Sequence, residues 1–466
     1  MSHPKHVRPE EAIAFDEVKK RVQILSEVDV LVVGGGTAGS VAGIASSRNG
    51  ANTMIVEQMG FLGGTATGGL VFPMMPNHVS GRPLCSGISS EIQDRLIGTG
   101  EGSKDSRGND GWFNPEALKY VLEEMANESG CGLLYHTFAS MPILEGNEVR
   151  GVVVETKVGR RAIMSKVAID ASGDADIAIK AGVPFESGRK EDGACQPMSL
   201  RFMVGNIDLS RFAAFLNRIY SNREHGLPWL ECWMVPGRGT PLEEVFNEAI
   251  REGMLERDDA AYFQGFSLPG RPGEMGFNCP RIIGDLKGQD PVDLTEAEVQ
   301  GRKRITRYMR FFKRYFEGFE NSYISQTATM VGVRESRRVV GEYVLSAEDH
   351  LKRRKFEDAV ARNNYPIDIH LPQGGTELSK PFGKGEYHEI PYRCLVPLCV
   401  DNLLVAGRCL SATFEAQASV RIQPNMRAIG QAAGTAAAIC SKEDVRPRAL
   451  DGKRLRSVLR SQGANL

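Results

Sequence analysis

Apolar positions along this chain first form continuous runs, then helical stripes, then continuous runs again. Five of the six residues in Val28-Asp29-Val30-Leu31-Val32-Val33 are Val or Leu. Such a run suits a strand buried on both faces of a parallel sheet. An Ala- and Ser-rich stretch over residues 37–48 predicts a helix, and Asn52-Thr53-Met54-Ile55-Val56-Glu57 predicts a second strand. Residues 115–129 read as a helix with Pro115 near its start. Short apolar runs at 133–136, 141–144 and 149–154 read as strands, the last two joined by the turn Glu145-Gly146-Asn147, which gives a β-meander. Residues 167–174 form another buried strand that ends in a glycine turn. Upstream, Ile13, Val18, Val22 and Leu25 recur at helical spacing among charges and predict a short helix over residues 10–25.

From Pro184 the strand–glycine–helix rhythm gives way to Pro, Trp and long polar stretches. It resumes with Asp401-Asn402-Leu403-Leu404-Val405-Ala406-Gly407-Arg408, a strand, and with an Ala-rich helix over 423–441 in which Gly430 and Gly434 permit close packing. Within the interruption, residues 297–319 place Ile305, Tyr308, Met309, Phe312, Tyr315, Phe316 and Phe319 on one helical face. Arg302, Arg304, Arg307, Arg310, Lys313 and Arg314 are interleaved and read as the solvated outer face of a packed helix, as does Lys352-Arg353-Arg354-Lys355. The pattern divides the chain into a helical extension (1–27), a discontinuous domain (28–183 and 396–445), an inserted α+β domain (184–395) and a C-terminal surface segment (446–466).

Length and composition add limits. A chain of 466 residues has material for two domains, and 41% hydrophobic with 25% charged residues is ordinary for a globular protein. A net charge of -1 gives no reason to expect nucleic acid or an acidic lipid surface. No apolar run approaches the ~18 residues of a membrane span, and residues 1–27 are too polar for a secretory signal. Nine scattered cysteines, with no C-x-x-C, favour reduced thiols in the cytoplasm over disulfides or a metal centre.

The chemistry begins where the first strand ends. Gly34, Gly36 and Gly39 spell G-x-G-x-x-G between that strand and the 37–48 helix. The first allows a tight turn, the second lets backbone approach a pyrophosphate, and the third lets the helix pack on the sheet. The helix N-terminus then faces the pyrophosphate, and Glu57, about 20 residues on, is placed to accept from a ribose. Strand, glycines, helix, strand and acid together predict a Rossmann-like α/β domain with a central parallel sheet and an adenine-dinucleotide site. The loop Gly60-Phe61-Leu62-Gly63-Gly64-Thr65-Ala66-Thr67-Gly68-Gly69 is glycine-rich enough to lie against the same ligand.

Four segments together resemble bacterial FAD-dependent oxidoreductases with a glutathione-reductase-like nucleotide domain. They are residues 30–57, Gly63-Gly64-Thr65-Ala66-Thr67, Asp170-Ala171-Ser172-Gly173-Asp174-Ala175-Asp176, and residues 402–438. The resemblance implies FAD as cofactor. It assigns the pyrophosphate to Gly34, Gly36, Thr37, Ala38 and Gly39, the ribose to Glu57, the pyrophosphate-to-flavin stretch to Gly64, Thr65 and Thr67, and the adenine to backbone near Ala139. Gly173 and Asp174 form a second nucleotide-side turn. Gly407 and Arg408 stand where related flavoproteins carry Gly-Asp, and Arg421 precedes a helix whose positive end would face the flavin. Ala66 and Val71 occupy the positions of a redox cysteine pair, so no redox disulfide is expected, and no second G-x-G-x-x-G provides for NAD(P)H.

The resemblance leaves the substrate side to the residues themselves. His370 and His388 lie where the inserted domain returns to the first, and either imidazole is suited to take a proton near neutrality. Tyr392 and Arg393 follow as groups that could orient a substrate or bind a carboxylate. Arg334, Arg337 and Arg338 could bind an anion, although Glu335 among them equally suits a structural ion-pair cluster. His225, Trp229, Cys232 and Trp233 lie in a stretch that reads as irregular. The activity implied is hydride transfer between a small polar organic substrate and flavin N5, as a dehydrogenation, with a flavin monooxygenase or an FAD-carrying electron-transfer subunit as alternatives. The expected partners are a small-molecule substrate and an electron acceptor, with self-association left open.

Overall fold

The computed structural model describes residues 22–104, 111–220 and 224–466. The first strand, β1, spans Gln23–Val33, five residues longer at its start than its apolar run. The helix expected over 10–25 lies mostly outside the described residues, and its end belongs to β1. The reason is pairing: residues 23–28 run parallel to residues 161–165 of the strand Gly159–Asp170, and those ladder bonds outweigh a helical pattern that Ile24 and Leu25 would have to bury. Both side chains remain exposed. The helix α1 (Thr37–Arg48) and the strand β2 (Thr53–Val56) follow as expected.

The main sheet runs in the order Gly132–Leu134, β2, β1, Gly159–Asp170, Glu148–Thr156, Phe138–Glu145. The central pairs are parallel. One long strand joins two architectures. Beyond β1, the first half of Gly159–Asp170 pairs antiparallel with Glu148–Thr156, while its last residues pair parallel with Leu403–Val405. The meander therefore comprises Phe138–Glu145, Glu148–Thr156 and Gly159–Asp170, and Gly132–Leu134 is the parallel edge strand. Helix Pro115–Ser129 has the expected bounds, with Asn114 accepting from Glu116 N at its cap.

The helix Gln423–Glu443 lies across α1 at backbone contact. A Cβ on Gly430 would stand 2.2 Å from Ala38 O, and one on Gly434 2.1 Å from Ala42 O. That contact brings the N-terminus of Gln423–Glu443 to the glycine turn after β1.

The inserted segment builds a five-stranded antiparallel sheet in the order Glu231–Met234, Phe263–Leu268, Arg271–Phe277, Phe202–Gly205, Tyr323–Thr327. The stretch around Cys232 and Trp233 is thus a strand and not irregular. Helix Pro291–Tyr315 starts six residues earlier than its apolar stripe, because Asp290 caps it and Pro291 suits its first turn. Its apolar face packs on the sheet, with the Phe277 and Phe312 rings 4.8 Å apart. The outer-face expectation holds for Arg302, Arg310, Lys313 and Arg314, which are exposed. It fails for Arg304, which is buried and donates to Arg281 O at 2.7 Å, and for Arg307, which pairs with Asp259 at 2.7 Å.

One contiguous core runs from Val30 through Phe202 and Phe277 to Leu459, so residues 184 and 395 do not mark breaks in packing. Strand Ala359–Asn363 and the C-terminal helix Gly452–Ser461 both pack on Gln423–Glu443, and Leu455 and Leu459 are fully buried there. Among the described residues no helix is long and apolar enough to cross a membrane.

Candidate functional site

A cavity of about 1000 Å³ runs from the glycine turn after β1 to the inserted sheet. At the first end it is lined by Gly34, Gly36, Thr37, Ala38, Glu57, Gly64, Thr65, Ala139, Gly173, Asp174, Gly407 and Arg408. Gly34 has φ +94, and a Cβ there would meet Ala171 O at 2.6 Å. Gly36 differs: a Cβ would meet nothing within 4 Å, because the position opens onto the cavity. Gly36 is the N-cap of α1 and offers no side-chain cap, so the N–H groups of the first turn are left for a ligand. The loop at 63–65 is held on top of the turn, with Gly63 N donating to Gly35 O at 2.8 Å and Thr37 Oγ1 donating to Gly63 O at 3.3 Å.

Two expected contacts are structural. Gly39 does not line the cavity; its missing Cβ would stand 1.8 Å from Gly34 O, so it serves the turn. Thr67 is fully buried and donates to Leu62 O at 2.7 Å, which shapes the loop from behind.

Glu57 is both an anchor and a lining residue. Its carboxylate accepts from Gly35 N at 2.7 Å and from Met59 N at 2.8 Å. Burial raises its pKa, and those backbone donors oppose the rise. Each oxygen keeps a second lone-pair direction. Glu57→Gln is expected to turn an amide N–H toward one of the two donors and weaken FAD by one to two decades, the equivalent of about 1.5–3 kcal/mol, as read by titrating apoprotein with FAD. Unchanged affinity would remove Glu57 from the site.

Arg408 donates to Asp174 Oδ1 at 2.6 Å, and Ser336 donates to the same carboxylate oxygen. Arg408 Nε is buried with no partner among the described residues. FAD fits this end: an open position at Gly36, an uncapped helix start, an acid at the end of β2 and a buried guanidinium N–H aimed away from protein acceptors.

The other end holds His370 and Arg421, as expected, with Arg334. It also gathers Arg201, Tyr262, Tyr365, Asp368 and Thr376, which were not anticipated. His370 lies between Asp368 and Thr376. Its Nε2 is 3.4 Å from Asp368 Oδ2, and its Nδ1 is 3.1 Å from Thr376 Oγ1. Arg281 Nη1 donates to that threonine oxygen at 3.2 Å, which leaves the hydroxyl hydrogen for Nδ1. Neutral His370 therefore carries its proton on Nε2, toward Asp368. Burial, followed by Arg281, Arg334, Arg421 and Arg201, holds it well below the usual imidazole range.

His388, Tyr392 and Arg393 are not at this site. His388 is fully buried in the pair of Ala359–Asn363 with His388–Pro391, where Asn363 Nδ2 meets its Nε2 at 2.9 Å. Tyr392 donates to Pro447 O at 3.0 Å and pins the C-terminal segment. Arg393 points outward and pairs with Asp358 at 3.0 Å. Strand pairing turned this stretch away from the cavity. Arg337 and Arg338 are likewise absorbed in ion pairs, with Asp176 and Glu335.

Burial, with His350 nearby, pushes His388 down to about 3, and burial pushes His350 down to about 4. For an imidazole with a lowered folded-state pKa, the unfolded chain binds the proton first. Stability is then fully present above 6.5 and lost as pH falls toward the folded value. His388 alone is expected to cost about 2 kcal/mol at a pH of about 5. Tm measured across this range should fall less steeply in His388→Asn than in wild type; parallel curves would contradict the assignment.

Turn, acid, helix start and cavity define a nucleotide-binding flavoprotein of Rossmann type. The chain belongs to the FAD dependent oxidoreductase family, whose model matches residues 29–459. FAD is its cofactor, and the protein is an enzyme. A thiamine thiazole synthase of Methanococcus aeolicus is 30% identical over 164 residues, 33% of this chain and 57% of that protein. A digeranylgeranylglycerophospholipid reductase of Methanopyrus kandleri is 30% identical over 159 residues, 32% of this chain and 40% of that protein. The chain thus spans about half the length of these curated relatives. Among solved structures, a geranylgeranyl bacteriochlorophyll reductase-like protein of Thermoplasma acidophilum is 14% identical, with a TM-score of 0.43 over 90% of this chain and 78% of that one. A p-nitrophenol 4-monooxygenase of Pseudomonas putida is 11% identical, with a TM-score of 0.45 over 92% and 83%.

Proposed function

We propose that the protein dehydrogenates a small polar organic substrate, with hydride passing to FAD and the accompanying proton to His370. The observation that supports this is one cavity, which joins the dinucleotide turn at Gly36 to a half-buried His–Asp pair. Gly34, Gly36, Thr37 and Ala38 would hold the pyrophosphate, Glu57 the ribose and Ala139 the adenine. Gly64, Thr65, Gly173, Asp174, Gly407 and Arg408 would flank the stretch toward the flavin, and the N-terminus of Gln423–Glu443 would face the ring. When bound, FAD supplies a two-electron acceptor at N5.

The chain supplies the rest. Asp368 fixes the ring of His370 and its tautomer, and the Nδ1 lone pair, which accepts from the Thr376 hydroxyl, would take a proton through that hydroxyl. The substrate's C–H would leave as hydride, its hydroxyl proton would pass to Thr376 Oγ1 as the threonine's own proton moves to Nδ1, and a carbonyl would remain. Tyr262, Trp233 and Met426 line the walls of the same cavity.

Anaerobic rapid mixing tests the proposal. Bleaching of the oxidised flavin by an organic hydroxy compound alone is the expected result. Bleaching by NAD(P)H gated by that compound would replace the dehydrogenase with a monooxygenase. Bleaching by neither would replace it with an electron-carrying subunit.

A further inference from the structure

Four arginines bear on His370 from four separate places in the chain; Arg201, Arg334 and Arg421 line the cavity with Asp368, and Arg281 reaches Thr376 beside it. The Arg201 guanidinium is buried and, among the described residues, makes one hydrogen bond, to Leu70 O at 3.3 Å, and no ion pair. Arg334 donates to Pro197 O and to Ser199 Oγ, neutral acceptors both. Arg421 reaches Asp368 Oδ2 only at 3.9 Å. Arg281 stacks 3.9 Å over the Tyr262 ring, and its Nε and Nη2 are buried with no partner among the described residues. Glu231 lines the far wall and is engaged by Gln264.

Buried charges are ordinarily paired, since the desolvation cost is otherwise unmet. Here burial and mutual repulsion push Arg201 down to about 10 and Arg334 well below its ordinary value. FAD held at Gly36 would place its pyrophosphate at the other end of the cavity, and the oxidised flavin ring is uncharged, so FAD would not balance these cations.

We propose that Arg201 and Arg334, with Arg421, bind the carboxylates of a small organic acid carrying at least two negative charges, and that this acid is the substrate class of the site. The substrate part of the inference rests on the dehydrogenase reading; the anion site does not. Planar guanidiniums meet carboxylates in bidentate fashion, which fixes orientation as well as charge. An anion seated among them also offsets the positive field on His370, so the imidazole becomes a competent base when substrate is bound and stays unprotonated otherwise.

The test is calorimetric titration of the purified holoenzyme with citrate, succinate, acetate and inorganic phosphate, with the flavin spectrum recorded in parallel. Citrate and succinate are expected to bind and perturb the flavin, with acetate much weaker. Arg201→Gln and Arg334→Gln should each weaken citrate by about 10- to 100-fold with FAD content unchanged. Arg201→Lys should recover part of that loss, and Lys313→Gln, on the outer face of Pro291–Tyr315, should bind as wild type. Absence of binding by every probe, or arginine variants that bind like wild type, would overturn the site. Phosphate bound more tightly than citrate would overturn the carboxylate assignment. A chain that takes citrate but no FAD would support the anion site while defeating the dehydrogenase reading.

Discussion

Gly36→Val is expected to give a folded protein without FAD. Gly36 has φ -68 and ψ -166, an extended conformation that valine adopts readily, and its Cβ would enter open space. The backbone therefore tolerates the change, and the new side chain occupies the place where a pyrophosphate must approach. Several charge-assisted hydrogen bonds would be lost together, so FAD affinity should fall by at least about two decades. The neighbouring glycines supply the contrast. A side chain on Gly34 or Gly39 would stand 2.6 Å from Ala171 O or 1.8 Å from Gly34 O, so valine there should cost the fold itself. Visible flavin absorbance and thermal unfolding, measured on the same samples, separate the two effects. Full flavin loading in Gly36→Val would contradict the placement of the pyrophosphate.

His370→Gln is expected to keep FAD and the fold but slow flavin reduction by about 10²- to 10⁴-fold, the usual contribution of a general base. Its pH behaviour distinguishes this role from a structural one. Asp368 and Thr376 meet the ring, Gln196 accepts from the His370 backbone N–H, Tyr262 and Tyr365 line the same cavity, and Arg201, Arg281, Arg334 and Arg421 act on the ring through their charge. Burial and the four guanidiniums lower its pKa, so the base form is already present throughout the neutral range. The acid limb of kcat/KM should lie well below 6.5, the ordinary imidazole value. The limb of kcat should lie higher, because bound anion offsets the guanidinium field. Single-turnover reduction across pH reads both. A variant within about threefold of wild type would leave His370 without a catalytic part.

The dinucleotide end was legible because its signals are local. Strand, glycines, helix and Glu57 lie within thirty-five residues of one another, each element dictated by its own pattern. Helix Pro115–Ser129 was legible for the same reason, through Pro115 at its start. The substrate end was not. Arg201 precedes a buried strand, Arg281 follows a hairpin, Arg334 sits in a loop and Arg421 ends a short helix. Only tertiary packing brings them together. A trace of the signal was present in Ser199-Leu200-Arg201-Phe202-Met203-Val204, where an arginine interrupts an apolar run and so requires a buried partner. Proximity along the chain misled in the opposite sense for His388. It returns to the first domain beside His370, yet its ladder to Ala359–Asn363 carries it into the core.

If this cavity holds FAD in extended form from Gly36 to His370, denaturation of the purified protein and chromatography of what it releases will show it. The expected result is a yellow protein that releases FAD in equal amount to chain, with Gly36→Val releasing little or none. A colourless protein that cannot be reconstituted with FAD, or one that releases FMN, would contradict it.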